Sequence, residues 1–263
     1  MTGELAAAVH AEALKLRRSR MPWASAGAMV LAGAVGAFFM YVLQDVDRAR
    51  SLGLLGTKAQ LTGGSADWPG YFALTAQTVS VGGLIVFGTA VIWLFGREFS
   101  DRTATDLLAL PTSRTAVVLA KLLLGLVWCV LLTVLLLLLV LVLGAALALP
   151  GWTGEAALRG AGAVLGTGLL TAGLAAPYGL AASVGRGYLP AVAVLFLTVL
   201  LAQVLAAVGH GAWFPWAVPA LLAGTAGPVP ADIGWAGPLS VLLVALASAA
   251  ATALWWERAD HSA

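Results

Sequence analysis

Charge is what this sequence has least of. Only 10% of its 263 residues are Asp, Glu, Lys or Arg, against about 25% in soluble domains, so there is too little charge to cover a water-facing surface. A single cysteine, Cys129, lies inside an apolar run, which excludes an intrachain disulfide and a cysteine metal cluster. It reads as a small buried hydrophobe. No glycine-rich phosphate loop with Lys and Ser or Thr occurs, since residues 53–58 (GLLGTK) lack the spacing. A His/Cys/Glu ligand set, a Ser nucleophile elbow and a paired-carboxylate site are missing too. The sequence therefore assigns no catalytic and no metal-binding residue, no cofactor of the chain's own and no nucleic-acid partner. It does not read as an enzyme.

What the chain has is apolar length. It is 61% hydrophobic, with a mean hydropathy of +0.96, and several runs reach the roughly 20 residues that cross a bilayer core. Six spans are expected, over 22–43, 71–95, 117–149, 156–184, 189–208 and 234–256. The first is longer than a signal-peptide core of roughly 7–15 residues and reads as an uncleaved span. The third exceeds a perpendicular crossing and must tilt or project. The fold class is all-α: a polytopic membrane protein with one six-span transmembrane domain over 22–256, an interfacial helix over 1–21 and a tail over 257–263.

An even number of spans puts both chain ends on one side. With that side cytoplasmic, ten of the 14 Lys and Arg residues lie inside: Lys15, Arg17, Arg18, Arg20, Arg97, Arg102, Arg114, Lys121, Arg186 and Arg258. Arg48, Arg50, Lys58 and Arg159 lie outside. This is the positive-inside distribution, expected of a multi-pass bacterial inner-membrane protein. Trp23, Trp93, Trp255 and Trp256 fall at inner span ends, and Trp68, Trp152 and Trp235 at outer ones, as interfacial belts.

The segment 4–20 carries Leu5, Val9 and Leu16 near one helical face and ends in Arg17, Arg18 and Arg20, the pattern of a helix lying in the inner interface. The outer segment 209–233 holds Trp213, Phe214, Trp216, Leu221 and Leu222 among Pro215, Pro219, Pro228 and Pro230. It is too apolar for a solvated loop and too broken for a span, so short re-entrant or interfacial helices are expected. All twelve acidic residues fall in loops or tails of this topology. That leaves no mid-membrane carboxylate for an ion-coupled carrier. Of the polar groups in the spans, Gln77, Thr78, Thr171 and Gln203 are the candidates for a substrate pathway; the alternative is interhelical hydrogen bonding. Gly162-x-x-x-Gly166, with Gly168 and Gly173, reads as a close-packing face of the fourth span.

One polar stretch interrupts the apolar chain. Residues 96–121 (GREFSDRTATDLLALPTSRTAVVLAK) hold seven of the 26 charged residues: Arg97, Glu98, Asp101, Arg102, Asp106, Arg114 and Lys121. Ser100 or Asp101 is placed to cap a new helix. Phe99, Thr103, Leu107 and Leu110 follow at helical spacing, and Pro111 stops it. The product is a short amphipathic helix over 100–110 between the second and third spans. Its mixed charge suits a protein groove better than a membrane surface, where such helices are usually basic.

This stretch resembles the first cytoplasmic loop in permeases of bacterial type-2 ABC exporters, including those related to lantibiotic and bacitracin self-protection. That loop reads E-F, a few residues, T, then L-L, then P-x-x-R and a later K. Here Glu98, Phe99, Thr103, Leu107, Leu108, Pro111, Arg114 and Lys121 stand at those places. The layout is similar too, with an N-terminal interfacial helix, six spans and broken outer helices before the last.

The resemblance implies that residues 96–116 are the coupling segment, docking a separate cytoplasmic ABC ATP-binding subunit that carries ATP and Mg. The site residues it implies are Glu98, Phe99, Asp101, Arg102, Thr103, Asp106, Leu107, Pro111 and Arg114. Glu98 and Arg102 would form docking ion pairs, and Phe99 and Leu107 apolar anchors. A second permease chain, identical or not, would complete the pathway in the bilayer. The cargo implied is hydrophobic or amphipathic: an antibiotic, a peptide or a lipid-like metabolite. A membrane anchor that recruits a partner without transport, and an ion-coupled carrier, are the competing classes.

Overall fold

The computed structural model describes residues 2–45, 65–101, 103, 112–224 and 233–258. Among these residues the secondary structure is helical, and six helices are long and apolar enough to cross a membrane. The protein is an all-α polytopic membrane protein.

An amphipathic helix, α1 (Thr2–Arg17), precedes the first spanning helix, α2 (Met21–Leu43). Pro22 in the first turn of α2 is preorganised for a helix start, where its missing N–H costs nothing. The buried face of α2 runs through Ser25, Met29, Gly33, Ala37 and Met40, one side of a 3.6-residue period. A Cβ on Gly33 would meet Leu139 Cδ2 at 2.5 Å, so glycine there sets the approach of α2 to the third spanning helix.

The second spanning helix, α3 (Trp68–Ser100), is the hub. Two-thirds (67%) of its most apolar window is buried, against 17% for the fifth spanning helix. Asp67 caps it, accepting from the N–H of Gly70 at 2.8 Å. A π turn over Val79–Gly83 interrupts its α-helical ladder.

The third spanning helix, α4 (Arg114–Ala146), has 33 residues. At a rise of about 1.5 Å each it is near 50 Å long, well beyond a hydrocarbon core of about 30 Å. Helix α1 packs alongside its first half. The fourth crossing is broken into α5 (Gly154–Gly173) and α6 (Ala176–Val184). Pro177 in the first turn of α6 cannot continue the ladder of α5. The fifth is α7 (Tyr188–Ala207). After it come two 3-10 turns, Gly211–Trp213 and Pro215–Ala217, the five-residue α8 (Val218–Leu222) and the last spanning helix, α9 (Ala236–Arg258).

The close-packed glycines of α5 are not the expected ones. A Cβ would have nothing within 4 Å at Gly162 or Gly166. At Gly160 it would fall 2.3 Å from Phe72, and at Gly168 2.4 Å from Thr133. Positions 162 and 166 lie about 200° around the helix from 160 and 164, so the G-x-x-x-G spacing points away from the bundle. Two tryptophans expected in the belts are instead core residues. Trp256 is 0% exposed and Trp68 is 5% exposed, whereas Trp23 and Trp235 stand out at about 80%. Cys129 is fully buried, as its apolar surroundings suggest.

Candidate functional site

The charged segment is entered from the last turn of α3 and left through the first turn of α4, and both junctions are tied to the chain ends. At the entry, four charged side chains close a ring. Lys121 Nζ reaches Glu12 Oε2 at 2.7 Å and Glu98 Oε1 at 2.9 Å. Lys15 Nζ reaches Glu12 Oε1 at 2.7 Å and the same Glu98 oxygen at 2.9 Å. The third Lys121 N–H donates to the carbonyl of Leu94 at 2.9 Å. Glu98 is completed by the Thr103 hydroxyl, which donates to its Oε2 at 2.7 Å.

Lys121 is 0% exposed, Glu98 1% and Glu12 3%. Two cations and two carboxylates make the ring neutral, which is how charge is tolerated without water. Lys15 is the half-buried member. Burial pulls its ammonium down, but the Glu12 and Glu98 carboxylates outweigh this and hold it above the ordinary lysine value.

Each of the three most buried charges replaces one apolar member of a buried stripe. Glu98 ends the series Leu84, Phe87, Val91 and Leu94 on α3. Lys121 stands in the series Val118, Gly125, Cys129, Leu132 and Leu136 on α4. Glu12 stands between Ala8 and Leu16, both buried, on α1. A charge at a core position of an amphipathic helix must meet its opposite, and the bundle brings these three together.

The exit junction is held by both chain ends. Ser113 caps α4, accepting from the N–H of Ala116 at 3.4 Å, and donates to Glu4 Oε2 of α1 at 3.4 Å. Arg114 Nη1 donates to the carbonyls of Trp256 at 3.1 Å and Glu257 at 3.3 Å, satisfying the C-terminal end of α9. Thr115 donates to the Glu257 carboxylate. Behind this, Phe99 lies edge-on to Trp255 and Trp256 with centroids 6.1 and 5.9 Å away. Trp256 Nε1 donates to Ser183 Oγ of α6 at 2.9 Å. A displacement of the segment at either junction therefore pulls on α1, α3, α4 and α9 together.

Several expected roles change. Ser100 is the last residue of α3 and Asp101 its C-cap, with its N–H donating to the Arg97 carbonyl at 2.8 Å. Nothing in Arg97–Phe99 breaks the helix, and Arg97 stacks over Trp93 at 4.6 Å, which prolongs it. Glu98, expected in a loop, lies in the last turn of α3, and both it and Glu12 of α1 are neutralised by lysines inside the fold. For the same reason Glu98 is not an exposed acid free to pair with a docked subunit, and Phe99 packs within the chain. Arg102, Asp106, Leu107 and Pro111, and most of the expected helix over 100–110, lie outside the described residues.

The polar candidates of the spans do not converge. Thr78 lines a narrow cleft with Gly33, Tyr71 and Leu136, its hydroxyl donating to its own helix at Leu74 (2.8 Å). Thr171 is fully buried and donates to Thr167 of the same helix at 2.8 Å. Gln77 is half-buried on α3, and Gln203 is exposed on α7. Most Thr and Ser hydroxyls in the spans likewise turn back on the preceding helical turn, so they knit neither helices nor a polar path. Exceptions are Tyr178 with Thr198 at 2.7 Å, Trp128 with Ser25 at 3.0 Å, and Trp256 with Ser183.

Sequence reasoning missed Glu12 and Lys15, and it treated Lys121 only as part of a motif. The available signal was a carboxylate in the middle of an apolar helical face, followed three residues later by a lysine.

The comparisons bear on the whole arrangement. The profile of the ABC-2 family transporter proteins matches residues 8–203. The bacitracin transport permease protein BCRB of Bacillus licheniformis is 26% identical over 180 residues, covering 68% of this chain and 85% of that protein. No solved structure matches the chain.

Proposed function

Because this chain belongs to the ABC-2 family of transporter proteins, we propose that it is a membrane subunit whose segment 96–116 couples a separate ATP-hydrolysing subunit to export. As a member of that family it is the membrane component of an ABC transporter, and such a permease is not itself catalytic. The finer reading is ours. The ATPase, carrying ATP and Mg, docks on the stretch containing Arg102, Asp106 and Leu107. Glu98, Phe99, Thr103 and Arg114 anchor that stretch rather than grip the partner. Asp101 and Pro111 bound it.

The observation that carries this reading is the double tether. A polar segment between two spanning helices is fastened at its entry by Glu98 to Lys121, Lys15 and Glu12, and at its exit by Arg114 to the end of α9. A plain connection between helices needs no such fixtures. A segment that must transmit force does, because slack at either junction would absorb the displacement.

The termini and the segment face the cytoplasm of a bacterial inner membrane in this reading, in keeping with ten Lys and Arg residues against four. A second permease chain, identical or not, completes the pathway. The relative's name, bacitracin transport, and the apolar spans together favour a hydrophobic or amphipathic cargo.

The test is purification of the chain in mild detergent from its native host. A stoichiometric ATP-hydrolysing protein should copurify, and Arg114→Gln should lower transport per ATP hydrolysed while leaving the complex assembled. Absence of any ATPase, together with cargo efflux that survives ATP depletion, would overturn the reading.

A further inference from the structure

A groove separate from the charged ring runs between α1, the start of α2 and the middle of α4. Its volume is about 500 Å³, within the roughly 300–1,000 Å³ typical of small-molecule sites. The wall is apolar, formed by Leu16, Trp23, Leu124, Val127 and Trp128, and Arg17 stands among the lining residues. The wall is also built to hold its shape. Trp128 Nε1 donates to Ser25 Oγ at 3.0 Å, and that hydroxyl donates to the carbonyl of Met21 at 2.9 Å, so the indole is pinned to the first turn of α2.

Arg17 is the charged residue of the lining, and Arg18 and Arg20 follow it within three residues of the chain. Arg17, Arg18 and Arg20 are all exposed and have no ion-pair partner among the described residues. Glu12, the nearby acid on α1, is already shared by Lys15 and Lys121. Trp23, 80% exposed beside these arginines, marks the level of the membrane interface, where indole rings settle. From there the wall descends along α4 to Val127 and Leu131, both more than half exposed, and so opens to hydrocarbon. An occupant must be anionic at one end and apolar along its length.

We propose that this groove binds an anionic phospholipid, its phosphate held by Arg17, Arg18 and Arg20 and one acyl chain lying against Leu124, Val127 and Trp128. Bound so, the lipid bridges α1 to α4 beside the charged ring and holds α1 against the spanning bundle. A second copy of this chain, or detergent, would fill the apolar wall without any need for the arginines.

The full chain, purified in mild detergent and offered equal amounts of phosphatidylglycerol and phosphatidylcholine with the same acyl chains, tests this by native mass spectrometry. Phosphatidylglycerol should be retained preferentially. Replacing the three arginines together (Arg17→Gln, Arg18→Gln, Arg20→Gln) should erase the preference, each being worth about fivefold near an anionic headgroup. Val127→Trp should fill the groove and lower retention of both lipids. Unchanged protection of Cys129 from thiol reagents certifies that each variant is folded. Equal retention of the two lipids by the unmodified chain would overturn the proposal. So would a preference that survives the triple arginine replacement, or a Val127→Trp effect confined to chain dimerisation. The measurement needs no ATPase, so its failure leaves the transport reading untouched.

Discussion

Removing the ammonium of Lys121 is the sharpest test of the ring. That nitrogen is fully buried and has three acceptors: Glu12 at 2.7 Å, Glu98 at 2.9 Å and the Leu94 carbonyl at 2.9 Å. Lys121→Met keeps the side-chain length but leaves Glu12 and Glu98 sharing Lys15 alone, a buried net charge of one. Breaking a buried ion pair on one side costs about 3–5 kcal/mol. The expected loss lies at the lower end of that range, since Lys15 still bridges both acids. Cys129 is a built-in reporter. It lies two turns along α4 from Lys121 on the same stripe, and a Cβ on Gly125 between them would meet Leu94 and Val91 of α3 at 3.3 Å. Opening of the α3–α4 contact at the ring exposes that thiol, the only one in the chain.

The rate of Cys129 modification at fixed temperature should therefore rise on the order of a hundredfold in Lys121→Met, as about 3 kcal/mol implies. Adding Glu98→Gln to that variant restores neutrality between Glu12 and Lys15 and should recover roughly 0.5–3 kcal/mol, the coupling expected of residues in one network. Arg159→Met is the control, because its ion pair with Glu155 at 3.3 Å is largely exposed and worth at most about 1 kcal/mol. A Lys121→Met rate no different from that of Arg159→Met, or a double variant worse than the single one, would refute the assignment of a neutral buried ring.

Three further outcomes follow from the packing and the charges. Gly160→Ala should destabilise the fold by about 1–3 kcal/mol through its clash with Phe72. Gly162→Ala, two residues on, should be neutral or gain up to about 1 kcal/mol of helix stability, and thermal unfolding of both variants decides it. Trp256→Phe removes the donor to Ser183 and should cost about 1–3 kcal/mol, read as faster Cys129 labelling. Lys15 titrates above its ordinary value of 10.5, so its contribution is complete below that pH and fades as pH rises through the higher folded value. Thermal midpoints measured from neutral to strongly alkaline pH should fall less steeply for Lys15→Met than for the unmodified chain.

Much of this molecule is written in local composition. Six apolar runs, with charge almost confined to their flanks, are enough to require six crossings, because no other arrangement keeps those side chains from water. The helix starts at Asp67, Ser113 and Thr153, each accepting an N–H of the first helical turn, follow from chemistry that acts over three residues. The order Glu98, Phe99, Thr103, Pro111, Arg114 was equally open to inspection and led to the family.

What the sequence could not show is which face of each helix turns inward. The spacing of Gly162 and Gly166 is a common packing motif, yet only the rotation of α5 about its axis puts Gly160 and Gly168 at the contacts instead. Glu98 looked like a surface acid because its neighbours in sequence are charged. Its neighbours in space are Lys15 and Lys121, 83 and 23 residues away. Periodicity establishes that a helix has an inner face. Pairing of charges across three helices depends on their mutual rotation and depth, and those are set by the summed packing of the whole bundle.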